Sequence, residues 1–110
     1  MEQKRSQRRT QAALSIEIRG VDAHGVPFEE WTEAVEVSRR GLSVLTRRDL
    51  PLYGPLTVVI PGRGPMRPNE GASDFFAEAA VVRVQKEGDI NRVGIRFMGA
   101  TLSTYTSEIG

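Results

Sequence analysis

Alternation of apolar and polar residues with a period of two dominates this chain, which divides into six strand-like runs separated by short segments containing glycine or proline. Period two places successive side chains on opposite faces of an extended strand, whereas an amphipathic helix needs a period near 3.6. In "AALSIEIRG", Ala12, Leu14, Ile16 and Ile18 share one face, expected to be core, while Ser15, Glu17 and Arg19 point to solvent. "EEWTEAVEV" alternates through Trp31, Glu33, Val35 and Val37, and the acidic side chains are expected to be exposed on strands or in turns. "SRRG" then predicts a tight hairpin connection, with Gly41 in the left-handed conformation, leading into "LSVLT".

Two prolines and Gly54 make residues 47–55 a connector before "LTVVI", a β-branched strand. "PGRGPMRPNEGASD", from Pro61 to Asp74, holds too many prolines and glycines for regular structure and reads as a long surface loop. "FFAEAAVVRVQ" and "RVGIRFM" are strands five and six around a "KEGDIN" turn. In "GATLSTYTSEIG", Leu102, Tyr105 and Ile109 are spaced to dock a short C-terminal helix. Six antiparallel strands without strand–helix alternation predict an all-β domain, a small barrel or sandwich.

The 110 residues suffice for one domain with its own core. Cysteine is absent, so disulfides, thiolate metal sites and cysteine nucleophiles are excluded. No apolar run reaches 18 residues and no apolar segment follows the first charges, the pattern expected of a soluble cytoplasmic protein. The single histidine, His24, falls in the turn "DAHG" and reads as a solvated loop residue. HExxH, GxSxG and GxxxxGK[ST] are all missing, so neither an enzyme nor a metal site is predicted. "GRGPMRPNEG" does not join a strand to a helix and so lacks the context of a phosphate-cradling loop.

Charge is unevenly distributed. Lys4, Arg5, Arg8 and Arg9 against Glu2 leave +3 in the first nine residues, yet the whole chain is only +1, so the remainder is −2. Residues 1–11 therefore read as a flexible basic arm and residues 12–110 as a mildly acidic body, with an anionic partner implied.

Two short motifs fit that division. Arg5 and Arg9 form Arg-x-x-x-Arg just before the first strand, and Glu36-x-Ser38-x-x-Gly41 begins 27 positions after Arg9, where strand two ends. In order, spacing and strand context the pair resembles the PilZ domain family, whose members are typically bacterial receptors for cyclic di-GMP. "VEVSRRGLSVLT", "DLPLYGPLTVVI" and "AAVVRVQKEGDINRVGIRF" extend the likeness over nearly the whole chain. The resemblance implies a six-stranded antiparallel β-barrel with a C-terminal helix.

It also implies a ligand with two phosphodiester charges and two guanines. Arginine offers a planar fork to guanine O6 and N7, pairs with phosphate and stacks on purines. By this resemblance Arg5 and Arg9 clasp the nucleotide, while Lys4 and Arg8 support the electrostatics. Ser38 supplies a hydroxyl, the Glu36 carboxylate accepts from guanine N1–H and N2–H₂, Gly41 permits close approach, and Arg39 and Arg40 add donors. The family pattern has Asp or Asn at the position of Glu36; the extra methylene adds a torsion to freeze, about 0.5 kcal/mol, and is expected to weaken the contact.

The leading expectation is a receptor, free of cofactors, that binds cyclic di-GMP, orders its arm and signals to a downstream protein. A PilZ-like module that acts through protein contacts without nucleotide is the second. A nucleic-acid-binding barrel is the third, disfavoured by the acidic body and by few expected exposed aromatics. Trp31 is read as a strand residue rather than a stacking platform.

Overall fold

A computed structural model of the protein describes residues 14–99 and Leu102; the arm and the expected C-terminal helix lie outside the described residues, apart from Leu102. The strands are β1 (Leu14–Val21), β2 (Pro27–Val37), β3 (Gly41–Thr46), β4 (Pro55–Ile60), β5 (Met66–Arg67), β6 (Gly71–Ala72), β7 (Phe75–Glu87) and β8 (Ile90–Phe97). Six of them close an antiparallel barrel in the order β1-β2-β3-β8-β7-β4, with β4 paired back onto β1. The expected six-stranded barrel is thus the observed one. β5 and β6 form a separate two-stranded ribbon inside the Pro61–Asp74 loop, so this segment is more regular than its composition predicts. Asn69 and Gly71, both at positive φ, make the reversal that joins them.

Alternation fills the barrel. Ile16 and Ile18, Val44, Val58 and Ile60, Val81 and Val93 are fully buried, and Phe75 meets Phe97 edge to face at 5.1 Å between ring centroids. Leu50 enters the core from the 47–54 connector, and Leu102 enters it beside the β2–β3 turn through a 2.8 Å bond from its N–H to the Arg39 carbonyl. Ile18→Ala is expected to lower stability by about 3 kcal/mol, because a rigid barrel wall does not collapse onto the vacated volume. Urea unfolding measures it, and a loss under about 1 kcal/mol would mean that the wall does move.

Strand two departs from the simple alternation. Trp31 is 58 % exposed, and the inner face is built from Phe28 and Ala34, with Glu30 and Thr32 between them. Glu17 departs as well: it lies on the outer face, yet only 8 % of it is accessible, with Arg19 Nη2 on its Oε1 at 2.8 Å. Three aromatics, Trp31, Tyr53 and Phe76, are exposed, more than the sequence suggested.

The barrel end formed by the β1–β2 loop and the 47–54 connector is locked by polar contacts. Arg48 caps Phe28 at 4.6 Å from the ring centroid and bonds Glu30 at 2.8 Å, while Asn91 Nδ2 donates to the Arg48 carbonyl at 2.9 Å. Asp22 accepts from the N–H groups of Val26 and His24, and the Val26 bond chiefly holds its pKa below the usual carboxylate value. A bond from His24, then the charge of Lys86, does the same for Asp49. Because both are depressed in the folded state, whatever they contribute is present above the ordinary carboxylate pKa and is lost as pH falls through their lower folded values.

Candidate ligand-binding face

Two β-bulges decide which side chains meet outside the barrel. Ala34 faces inward opposite Val44, and unbroken alternation would also turn residue 36 inward. Instead the register shifts between Ala34 and Glu36, so Val35 is an inserted residue, Glu36 pairs with Ser43 on the outer face, and Val37 turns back toward the core. The same device recurs on β7. Val81 is fully buried opposite Ile95, the register shifts at Val82, and Arg83 emerges on the outer face opposite Gly94.

Since Ser43 is also the cross-strand partner of Gly94, one outward row runs Glu36, Ser43, Gly94, Arg83 across β2, β3, β8 and β7. Three interstrand spacings make it about 14 Å long. Ser43 is only 5 % exposed, and its hydroxyl donates to Glu36 Oε1 at 3.4 Å, a long bond that leaves the carboxylate's other oxygen without this donor. Gly94 leaves the middle of the row without a side chain. The Arg83 side chain folds toward that gap, since a Cβ at position 94 would stand 3.7 Å from Nε and 3.8 Å from Nη2. A guanidinium lying over a bare strand is a platform for an aromatic plane.

The Ser38–Gly41 turn borders this row. The Gly41 carbonyl accepts from both the Ser38 N–H, at 2.8 Å, and the Ser38 hydroxyl, at 3.2 Å. With its proton so committed, the hydroxyl offers lone pairs and accepts from a ligand N–H. The Arg40 carbonyl takes the Phe97 N–H at 2.8 Å, so the backbone of the turn is tied to β8 while Arg39 and Arg40 are exposed. Arg96, the partner of Gly41 on β8, is exposed too. Gly41 itself is not in the left-handed conformation; a Cβ there would stand 2.1 Å from the Ile95 carbonyl oxygen, so glycine is required by strand approach rather than by positive φ.

Of the residues singled out from the sequence, Glu36, Ser38, Arg39, Arg40 and Gly41 therefore gather at one rim. Lys4, Arg5, Arg8 and Arg9 lie outside the described residues. The chain enters the barrel at Leu14, opposite Ala34 and so at the same end as Glu36. Arg9 is five residues from that point, within about 17 Å along an extended chain. Arg83, Ser43, Gly94 and Arg96 went unmarked in the sequence; the one signal for Arg83 is a charge in the apolar run "AAVVRVQ", where a strand must break its alternation to expose it.

A shallow cavity at the opposite end, lined by Glu30, Leu45, Thr46, Arg47, Arg48 and Ile90, is satisfied internally. Thr46 Oγ1 donates to Glu30 at 3.0 Å and Arg48 pairs with the same carboxylate, leaving a seal rather than a receptor site. Among the described residues no group of three or more histidine, cysteine or carboxylate side chains is placed to hold a metal. No helix among them is long and apolar enough to cross a membrane.

No curated protein and no solved structure matches this chain. The family model of the PilZ domain matches residues 3–107. Covering both motifs and all strands of the closed barrel, that match shows that the chain belongs to the PilZ domain family.

Proposed function

We propose that this protein is a receptor for cyclic di-GMP whose binding face is the row from Glu36 to Arg83 and whose clasp is the segment carrying Arg5 and Arg9. The PilZ domain is generally a module for this nucleotide, which is the class-level support. The observation that carries the reading is the bulge at Val35, which turns Glu36 outward beside the Ser38–Gly41 turn at the end where the arm joins the barrel. In this reading the Glu36 carboxylate and the Ser38 lone pairs take guanine N–H groups. Arg83 stacks on a purine, and Arg39, Arg40 and Arg96 surround the phosphates with Arg5 and Arg9. Lys4 and Arg8 add to the local field. Binding is the whole function: nothing is catalysed, and arm ordering presents a changed surface to a downstream protein.

Calorimetric titration tests the proposal. Saturable heat is expected with cyclic di-GMP in preference to GTP, GMP and cyclic di-AMP. Absence of heat at high micromolar ligand would remove the nucleotide and leave the second reading, a PilZ module that works through protein contacts alone. Glu36 is the residue that favours this alternative, because its oxygen is already engaged by Ser43.

Position 36 also gives a graded test. Glu36→Asp is expected to tighten binding about tenfold, equivalent to 1.4 kcal/mol, by holding the carboxylate with one torsion fewer to freeze. Glu36→Ala is expected to weaken it. Equal affinity in all three proteins, each folded by circular dichroism, would mean that residue 36 does not touch guanine.

A further inference from the structure

A second outward row crosses the other side of the barrel, and its chemistry is opposite to that of the first. Glu17 is the partner of both Trp31 and Val59, and Val59 is the partner of Phe76, so Trp31, Glu17, Val59 and Phe76 stand side by side on β2, β1, β4 and β7. The two outer members are aromatic and each is 58 % exposed; the two between them are 8 % and 4 % exposed. Two rings about 14 Å apart thus stand over a dense floor. Around them, Glu29, Glu33 and Glu78 are exposed on the same face, and the guanidinium of Arg19, the strand neighbour of Glu29, is bound by Glu17. The first row instead ends on Arg83 and is bordered by Arg39, Arg40 and Arg96.

From this placement we propose that the Trp31–Phe76 face docks the chain's own cationic segment, residues 1–13, in the absence of nucleotide, so that this face and the ligand compete for the same arginines. The docking stands on charge, aromatic exposure and connectivity; the competition rests on the nucleotide reading above.

Connectivity makes this segment the natural occupant. The segment joins β1 at Leu14, and β1 is a middle strand of this face. Glu33 faces Ser15, and Trp31 lies one pleat further along. Arg9 is five and Arg5 nine residues from Leu14, a reach of about 17 and about 30 Å along an extended chain, so Glu33, Trp31 and Glu29 are all within the span of these arginines. Arginine on an indole face adds cation–π attraction to charge pairing. A tether this short supplies an effective concentration in the millimolar range, so even a weak contact is populated.

Trp31 is the sole tryptophan, so its emission and acrylamide quenching report on this face directly. In the ligand-free full chain, Trp31 is expected to emit further to the blue and to be quenched less than in a chain lacking residues 2–9. Molar salt, which shortens the screening length to about 3 Å, is expected to erase the difference, as is Glu29→Gln combined with Glu33→Gln. A peptide of residues 1–13 added to the truncated chain is expected to restore the protected signal at millimolar concentration. Cyclic di-GMP is expected to shift the full chain to the truncated values.

Identical Trp31 signals in full and truncated chains would overturn the docking, even if the nucleotide binds. Protection that depends on protein concentration and survives truncation would overturn it too, because a second copy would then cover the face. Protection by the arm with no response to nucleotide would leave the docking and remove the competition. In that case calorimetry shows which step failed: without heat it is the nucleotide reading, and with heat it is the sharing of arginines.

Discussion

Gly41→Ala is expected to destabilise the barrel by about 3 kcal/mol, a large part of the margin of a domain of this size. An added Cβ would stand 2.1 Å from the Ile95 carbonyl oxygen and 3.1 Å from the Arg96 Cα. These are backbone atoms of β8 and cannot rotate away as a side chain can. Relief requires β3 to move off β8, which disturbs the Gly41–Arg96 and Leu42–Ile95 pairs and the Phe97 bond to the Arg40 carbonyl. Gly41→Asn separates this cause from a conformational one. Asparagine tolerates positive φ, so it would rescue a left-handed turn but not a steric contact. Urea unfolding should therefore rank Asn no better than Ala. A loss under about 1 kcal/mol in both would show that the two strands separate without cost.

Arg5→Ala and Arg9→Ala are each expected to reduce cyclic di-GMP affinity about a hundredfold or more. A charge-assisted hydrogen bond contributes roughly 1.5 to 3 kcal/mol, and a guanidinium fork makes two, so about 3 kcal/mol is at stake for each arginine. Thermal stability is expected to stay within about 0.5 kcal/mol of the parent, since surface substitutions away from core, cap and network features move it little. The effect then belongs to binding and not to folding. Unchanged affinity in both variants would take the arm out of the ligand site. If the arm instead served a nucleic acid, the parent would form complexes with DNA or RNA that weaken steeply with salt. Gel shifts at low salt, expected to show none, check that alternative.

The proposed receptor reading and the docking reading concern opposite faces that adjoin at β2. Their common element is the arm, whose cations suit both the phosphates and the acidic aromatic face. A ligand shifts such an equilibrium only by its differential affinity for the two arm positions. Glu29→Gln and Glu33→Gln, which favour release, therefore bear on the coupling without touching the nucleotide face.

How far the sequence reaches is clearest at individual residues. Ile16 and Ile18 were placed in the core by alternation alone, and both are fully buried. Trp31 was not, because its strand gives the same parity to a polar and an apolar set, and either can face inward. Glu36 and Arg83 depend on the inserted residues Val35 and Val82. Valine at either position is as good in a regular strand as in a bulge, so nothing local announces the shift.

The sequence by itself determined the six strands of the barrel, the inner face of the first and the two motifs, since period, proline and glycine act over a few residues. Only the tertiary structure decided the register. That choice set Glu17 between Trp31 and Val59 and brought the Ile95 carbonyl against Gly41, more than fifty positions earlier in the chain. It also aligned Glu36 with Arg83 across Ser43 and Gly94. Barrel closure fixes these neighbours together, because moving one strand by a single residue would turn its entire buried set outward.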